Sequence, residues 1–520
     1  MLDDLDININ PGEYDLEDAG IRKGDALIFP QPVWPSRILY NVDSGIQKVE
    51  LSFLVFDDVR RITVTMEQIG NTNKIIALAN SGLMVNALNA KALMKYLASV
   101  LTYSKDIIQH GKAKGSLGWA GTEFVPYSDK VFFDGEEQFR QVFNSIRSQN
   151  TADVWAAQVK QYRKQLPVRL CLAASFASPL VEIIGANPFI FHLWGGTGVG
   201  KTVVLMIAAS VWGDPAMGKM VRTLNMTQNS MLSTAGFLNN LPFVGDELQT
   251  IKSTWQNYDR LIMCLTEGVD RGRMSYDKIN ETKSWRCAFI TSGEEPCVKR
   301  NSGGGTKNRV IEVEATEKLI PDGNGTANFV RTHFGAAGRE FIASLDRKEI
   351  RKMYKEIREQ FPEDLEGKVT DKQISTAVLM LVADELARRL FWPGEPVLMW
   401  SDVLPFLSQE EDVDTSERAY SYITELVAQN PGKFDAQFAA SLWGVIEHGD
   451  CYFIKNALIE QLEAAGFDFA AVKQKWIRNG YLIRAQAERG IRYKKNIRGV
   501  YTTCVRLMLP EPDDPKIPTN

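Results

Sequence analysis

The stretch Phe191-His192-Leu193-Trp194-Gly195-Gly196-Thr197-Gly198-Val199-Gly200-Lys201-Thr202 decides the fold. Residues 188–194 form a continuous apolar run, the pattern of a strand buried on both faces. Residues 202–212, TVVLMIAASVW, read as an apolar helix. Between them, Gly195–Thr202 fits G-x-x-x-x-G-K-[ST] in full. Glycines let such a loop wrap so that backbone N–H groups point at phosphate oxygens. The helix behind it turns the positive end of its dipole toward the same anion. Gly195, Gly196, Thr197, Gly198, Val199, Gly200, Lys201 and Thr202 are therefore the expected nucleotide-binding residues. Lys201 would neutralise the β- and γ-phosphates of ATP, and the Thr202 hydroxyl would be a ligand of Mg²⁺.

A nucleoside triphosphatase also needs an acidic strand end. The segment 241–247, LPFVGDE, supplies one. Asp246 would contact Mg²⁺, and Glu247 would act as general base on the attacking water. On an extended strand, adjacent carboxylates point to opposite sides, so the two can divide these roles. A second apolar strand, within 287–295, ends in Thr291 and Ser292, whose hydroxyls could reach the γ-phosphate or the water. Arg309 precedes the apolar run 310–314. It could enter a neighbouring subunit's site in trans, with Arg300 as second candidate. A trans arginine of this kind contributes about 10³–10⁵ in rate.

Working outward, strands alternating with helices indicate an α/β domain with a parallel sheet over about 151–330. Residues 1–35 read as an acidic, proline-containing lead, with seven acids and no base in the first twenty residues. Residues 36–150 read as an α+β accessory domain. It has a hairpin over 48–56 and 61–67 and a helix over 89–101. Residues 331–429 read as helical, most clearly over 373–391. The block 430–510 runs helix, helix, basic ribbon, the order of a winged helix, with the ribbon strands joined at Gly490. Residues 511–520 are expected to be disordered. The fold class is thus multidomain α/β. A P-loop parallel-sheet core carries an N-terminal α+β domain and a C-terminal helical and winged-helix region.

Composition excludes other classes. The 520 residues are 44% hydrophobic and 24% charged, with a net charge of −4. These values are those of a globular chain, not a disordered or collagen-like one. No apolar run reaches the roughly 18 residues of a membrane span, so no membrane association is expected. The acidic start MLDDLDININ is not a signal peptide, and a cytoplasmic location is expected. Six cysteines without paired spacing read as reduced thiols. None of the four histidines stands at ligand spacing from a cysteine or carboxylate, so a zinc site is not expected.

Two basic segments stand out. Residues 268–286 carry Arg271, Arg273, Lys278, Lys283 and Arg286. Residues 473–506 hold ten Lys/Arg and one acid. In the second segment, Lys473, Lys475 and Arg478 would lie on one helix. Arg489, Arg492, Lys494, Lys495 and Arg498 would lie on the ribbon. Such local fields suit phosphate contacts to DNA, which release counterions and weaken with salt.

The order of these pieces resembles AAA+ ATPases, especially superfamily 3 helicases. More closely, the chain resembles the bacterial and prophage family called domain of unknown function 927, over roughly residues 36–430. The stretches that carry the resemblance include FHLWGGTGVGKT, LNNLPFVGDELQ, FITSGEEP, FGAAGREFI, ADELARRLF, GLMVNALNAKALMKYL and SLGWAGTEFV. The resemblance implies an AAA+ core and an ATP-dependent helicase or translocase replicating a phage or mobile element. It implies a homo-oligomeric ring, a hexamer, on single-stranded or forked DNA, with a separate primase as a further partner. It places a hairpin with tip Asp277-Lys278-Ile279-Asn280 in the ring channel, with Tyr276 beside it to stack on a base. One departure is clear. Superfamily 3 proteins carry Asn at the end of the polar strand, where this chain has Thr291-Ser292-Gly293. The alternative reading is a regulatory or defence ATPase that remodels protein or senses nucleic acid without unwinding it.

Overall fold

In this computed structural model the described residues are 2–253, 258–270, 274–275, 278–279, 283–299, 302–409, 413–435, 441–485 and 490–510. The acidic start is not a separate lead. Short strands at Asp15–Glu17, Gly20–Lys23 and Ala26–Phe29 form an antiparallel meander. Tyr14, Ile21, Phe29 and Val33 lie in one core with Val49, Leu51 and Phe53, and with Leu93, Tyr96 and Leu97 of helix Ala90–Tyr103. Most residues around them are exposed, so the composition looks like a tail while a few apolar side chains turn into the core. The expected hairpin is present, with Gln47–Val55 antiparallel to Asp58–Thr65.

The central unit is built on five parallel strands: β1 (Phe189–Trp194), β2 (Val221–Thr223), β3 (Phe243–Asp246), β4 (Ala288–Gly293) and β5 (Val310–Glu314). Their spatial order is 2-3-4-1-5. β1 is therefore an interior strand and is flanked by strands that follow it by about a hundred residues. In open parallel sheets, ligands bind beyond the carboxyl ends of the strands. Those ends are Trp194, Asp246 and Gly293, where the candidate residues cluster in sequence. β2 was not expected. It is three residues long and carries too little apolar pattern to read as a strand.

Helix α1 (Leu166–Ile184) backs the sheet, and α2 (Lys201–Ser210) follows the loop. Further on are α3 (Gln228–Leu238), α4 (Tyr258–Thr266) and α5 (Asp371–Phe391). α1 is long and apolar enough to cross a membrane by length and composition, but 78% of its most apolar stretch is buried inside the protein. It packs against α5. The region 331–407 therefore shares one continuous core with the sheet, from Leu117 through Leu407. A buried ion pair between Arg163 and Asp384 joins the two parts.

A third core starts at Ala419 and ends at Leu507, so helix Thr415–Gln429 belongs to the C-terminal domain. Helices Lys455–Ala464 and Phe469–Arg478 stand where the apolar spacing puts them. The basic ribbon pairs Tyr493–Ile497 with Val500–Met508. Its turn is Arg498-Gly499, both in the left-handed region, and not Gly490. This is the two-residue turn whose twist matches paired strands.

Candidate nucleotide site and basic surfaces

The loop after β1 is set by its glycines. Gly195, Gly198 and Gly200 all take positive φ. A Cβ on Gly195 would sit 2.6 Å from the Ala315 carbonyl oxygen, so no other residue fits there. Among the described residues, the N–H groups of Gly196, Thr197 and Gly198 donate to nothing, and all three residues are exposed. Lys201 Nζ donates to the carbonyls of Gly195 at 2.8 Å and Gly196 at 2.7 Å, which folds the ammonium back over the loop. Open amides around one ammonium at a helix start form a cradle that fits a polyphosphate.

The acidic strand meets this cradle. Thr202 Oγ1 donates to Asp246 Oδ2 at 2.8 Å. Asp246 is 5% exposed, and its other oxygen accepts from Ser292 Oγ and, at 3.1 Å, from the N–H of Glu247. A hydroxyl and a carboxylate side by side in front of the loop are hard oxygen ligands, the set that suits Mg²⁺. Glu247 departs from the sequence reading. The strand ends at Asp246, and Glu247 has φ +60 rather than an extended conformation. Its carboxylate is exposed and has no hydrogen bond or ion pair among the described residues. The two acids are thus separated by a backbone turn, not by strand alternation. A non-glycine residue in the left-handed region is strained, and such strain concentrates at functional sites.

Thr291 and Ser292 are both committed within the protein. Ser292 orients Asp246 and accepts weakly from Glu247 N–H at 3.3 Å. Thr291 Oγ1 lies 2.8 Å from His192 Nδ1, and His192 Nε2 lies 3.0 Å from the Glu295 carbonyl oxygen. A carbonyl only accepts, so Nε2 carries the proton and Thr291 donates to Nδ1. Burial pushes the ring's pKa down to about 4, which keeps it neutral. The fold also brings His192, Cys297 and Glu312 together, with ligand atoms within 4.8 Å, although no sequence spacing shows it. Both ring nitrogens are already used, and Glu312 accepts from the N–H groups of Cys297 at 2.6 Å and Val298 at 3.1 Å. The cluster therefore acts as a buried lock behind β4. All six cysteines are buried, and none is in a disulfide.

Arg309 lies at the opposite end of the sheet from the loop. Its carbonyl accepts from Ile190 N–H at the start of β1. At about 3.3 Å per residue, the two ends are roughly 16 Å apart along the strand. Arg309 thus does not join the Gly195–Thr202 cradle of its own chain. Arg300 lies outside the described residues.

Among the hairpin residues, Arg271, Arg273, Tyr276, Asp277 and Asn280 also lie outside them. Met274–Ser275 pair antiparallel with Lys278–Ile279, so Lys278 and Ile279 are strand residues and not part of the tip. Lys283, expected to contact DNA, is engaged within the chain. Its ammonium pairs with Glu136 at 2.9 Å, bonds Ser233 Oγ at 3.0 Å and lies over the Phe139 ring. It ties the hairpin stem to the region before the sheet. Arg286 bonds the Ala186 carbonyl at 3.4 Å.

In the C-terminal domain, Lys475 pairs with Asp414, and Lys495 pairs with Glu447 and covers the Tyr452 ring at 3.8 Å. Lys473 is half-buried, whereas Arg478, Arg492, Lys494 and Arg498 are exposed. Lys494 also reaches Thr503 Oγ1 at 3.2 Å. Arg489 lies outside the described residues. Sequence reasoning missed His192, whose role appears only when β1 and β4 are adjacent.

Residues 16–284 match the family model described as domain of unknown function 927. The chain belongs to that family. The match ends before β4, so Thr291, Ser292 and Arg309 lie beyond it. Residues 414–510 match the Cch helix turn helix domain. That boundary coincides with the start of the third core, and helix Thr415–Gln429 is part of it. No curated protein matches the chain. Among solved structures, this family member is similar to one described as "SCCmec type IV Cch - active helicase". The TM-score is 0.72 and the identity 17%, over 96% of this chain and 98% of that one. The two share a multidomain α/β fold with a C-terminal helix-turn-helix region. A second, "The A form apo structure of NrS-1 C terminal region-CTR", aligns over 91% of this chain and 96% of that one. Its TM-score is 0.35 at 10% identity, too low to carry an argument.

Proposed function

We propose that this protein is an ATP-driven DNA helicase or translocase of a phage or mobile element, with an AAA+ core, working as a homo-oligomeric ring. The observation that carries this reading is the junction of Thr202 and Asp246 in front of a loop with open amides. Support for the choice of helicase comes from the protein of like fold described as an active helicase, and from the Cch helix turn helix match.

In this reading, Gly195–Thr202 bind the triphosphate and Lys201 swings from its carbonyl contacts onto the β- and γ-oxygens. Thr202 and Asp246 hold Mg²⁺, which when bound neutralises charge developing on the phosphates. Ser292 holds Asp246 in place for that task. Glu247 takes the proton of the attacking water. Its carboxylate is exposed and has no partner among the described residues, which keeps it available as base. Arg309 acts on a neighbouring copy's nucleotide. The exposed cations of the C-terminal domain hold DNA phosphates, and Lys278 grips the strand in the channel.

The test is strand displacement on a forked duplex, run beside ATP turnover with and without single-stranded DNA. We expect Lys201→Ala to abolish turnover while the fold survives. Glu247→Gln should bind nucleotide but lose about 10²–10⁴ in turnover. Lys278→Ala should keep turnover and lose displacement. DNA-independent turnover without displacement would favour the protein-remodelling alternative, and retained turnover in Lys201→Ala would defeat the nucleotide site.

A further inference from the structure

A cleft of about 330 Å³ opens at the amino edge of the parallel sheet, away from the nucleotide loop. Its lining includes Pro188 ahead of β1, Asn308 and Arg309 ahead of β5, and Asp371, Lys372 and Thr376 in the first turns of α5. Two cations share it. Arg309 Nη1 is held by the Gly305 carbonyl at 2.6 Å and lies 3.2 Å from Met263 Sδ, which fixes its position without neutralising it. Neither Arg309 nor Lys372 has an ion pair among the described residues. The acid in the lining, Asp371, is turned to Arg358 at 3.3 Å. Burial, and then the charge of Arg309, hold the Lys372 ammonium below its ordinary range. Two like charges kept together without a counter-ion cost energy that an incoming anion would remove.

The anion has a source of matching chemistry. The loop at the carboxyl edge of the same sheet, once loaded, presents a polyphosphate. Anion on one edge and paired cations on the other make two different, complementary patches. Such patches join copies head to tail, the heterologous contact that closes into rings. We propose that the cleft is a binding site for the triphosphate tail held on a second copy's loop, with Lys372 acting there as a second trans cation beside Arg309. This rests on the nucleotide reading of Gly195–Thr202 given above. Lys372 comes from the helical region after the sheet, so that region contributes to catalysis and does not merely cover α1.

Mixed assemblies test it. Lys372→Ala and Lys201→Ala, carrying different tags, are co-expressed, purified through both tags and assayed for ATP turnover. Alone, Lys372→Ala should lose about 10²-fold in turnover, the scale of one missing transition-state donor. It should still bind a fluorescent ATP analogue, because the loop of each copy is intact. Lys201→Ala should be inactive. The mixed species should regain turnover, because copies with an intact Lys372 serve the intact loops of the others. Lys372→Arg, which keeps the charge, should stay within a few-fold of wild type. Wild-type turnover in Lys372→Ala, failure to recover a mixed species, or a mixed species no more active than its parts would overturn the proposal. Failure of the nucleotide reading looks different: wild type would not hydrolyse ATP, or Lys201→Ala would hydrolyse it normally.

Discussion

His192 shows how one buried side chain can set a polar strand end. Its ring joins β1 to β4 through Thr291 and the Glu295 carbonyl, and it works only when neutral. The unfolded ring takes a proton near pH 6.5, whereas the folded ring resists until about pH 4. The folded pKa is depressed, so this contribution is complete above pH 6.5 and drains away as pH falls toward 4, by up to about 3 kcal/mol. Urea midpoints at pH 8 and pH 5 should therefore separate more for wild type than for His192→Asn. Parallel losses in the two proteins would remove His192 from this role. The partners explain why the sequence was silent here. Thr291 stands 99 residues from His192, and nothing local in either segment announces the other. Glu247 was legible as an acid after a strand, but not its left-handed backbone, because the residue has no glycine-like signature. Lys283 looked like a DNA contact because charge was visible and Glu136, 147 residues earlier, was not paired with it on paper.

Larger pieces were legible when their signal was local. The strand–loop–helix from Phe189 to Ser210, the hairpin of 47–65 and α5 all follow from periodicity and glycine placement within one window. The meander at 15–29 and β2 were not, because strands of three or four residues carry no usable period. The join between segments was equally hidden. Arg163, just ahead of α1, and Asp384 on α5 pair in the interior, where both side chains are under 5% exposed. Burial raises the Asp384 carboxyl, although Arg163 and the Leu398 N–H pull it down. Arg163→Ala leaves a buried carboxylate without its partner and should destabilise by about 3–5 kcal/mol, read as a lower urea midpoint. Replacing both residues with apolar ones of similar volume should recover most of that loss. A double variant as unstable as the single one would mean that packing, not charge, governs the site.

The assembly of three cores has its own expected behaviour. The net charge is −4, yet Arg478, Arg492, Lys494 and Arg498 stand on one small C-terminal domain. If that domain holds duplex phosphates, Arg492→Ala with Lys494→Ala should weaken binding at low salt. It should also flatten the slope of log affinity against log salt by about two. An unchanged slope would place DNA elsewhere. Domain boundaries were only partly readable, because composition changes at 331 while the core does not. That continuity has a practical meaning. Fourteen residues of α1 are buried, and α5 is among the helices that cover them. Cutting the chain after the last strand, at the place where a catalogue of modules would cut it, would uncover a greasy rod that passes for a membrane anchor. Such a fragment should precipitate, whereas one extended through Leu407 should stay in solution, because only the longer piece keeps that rod covered.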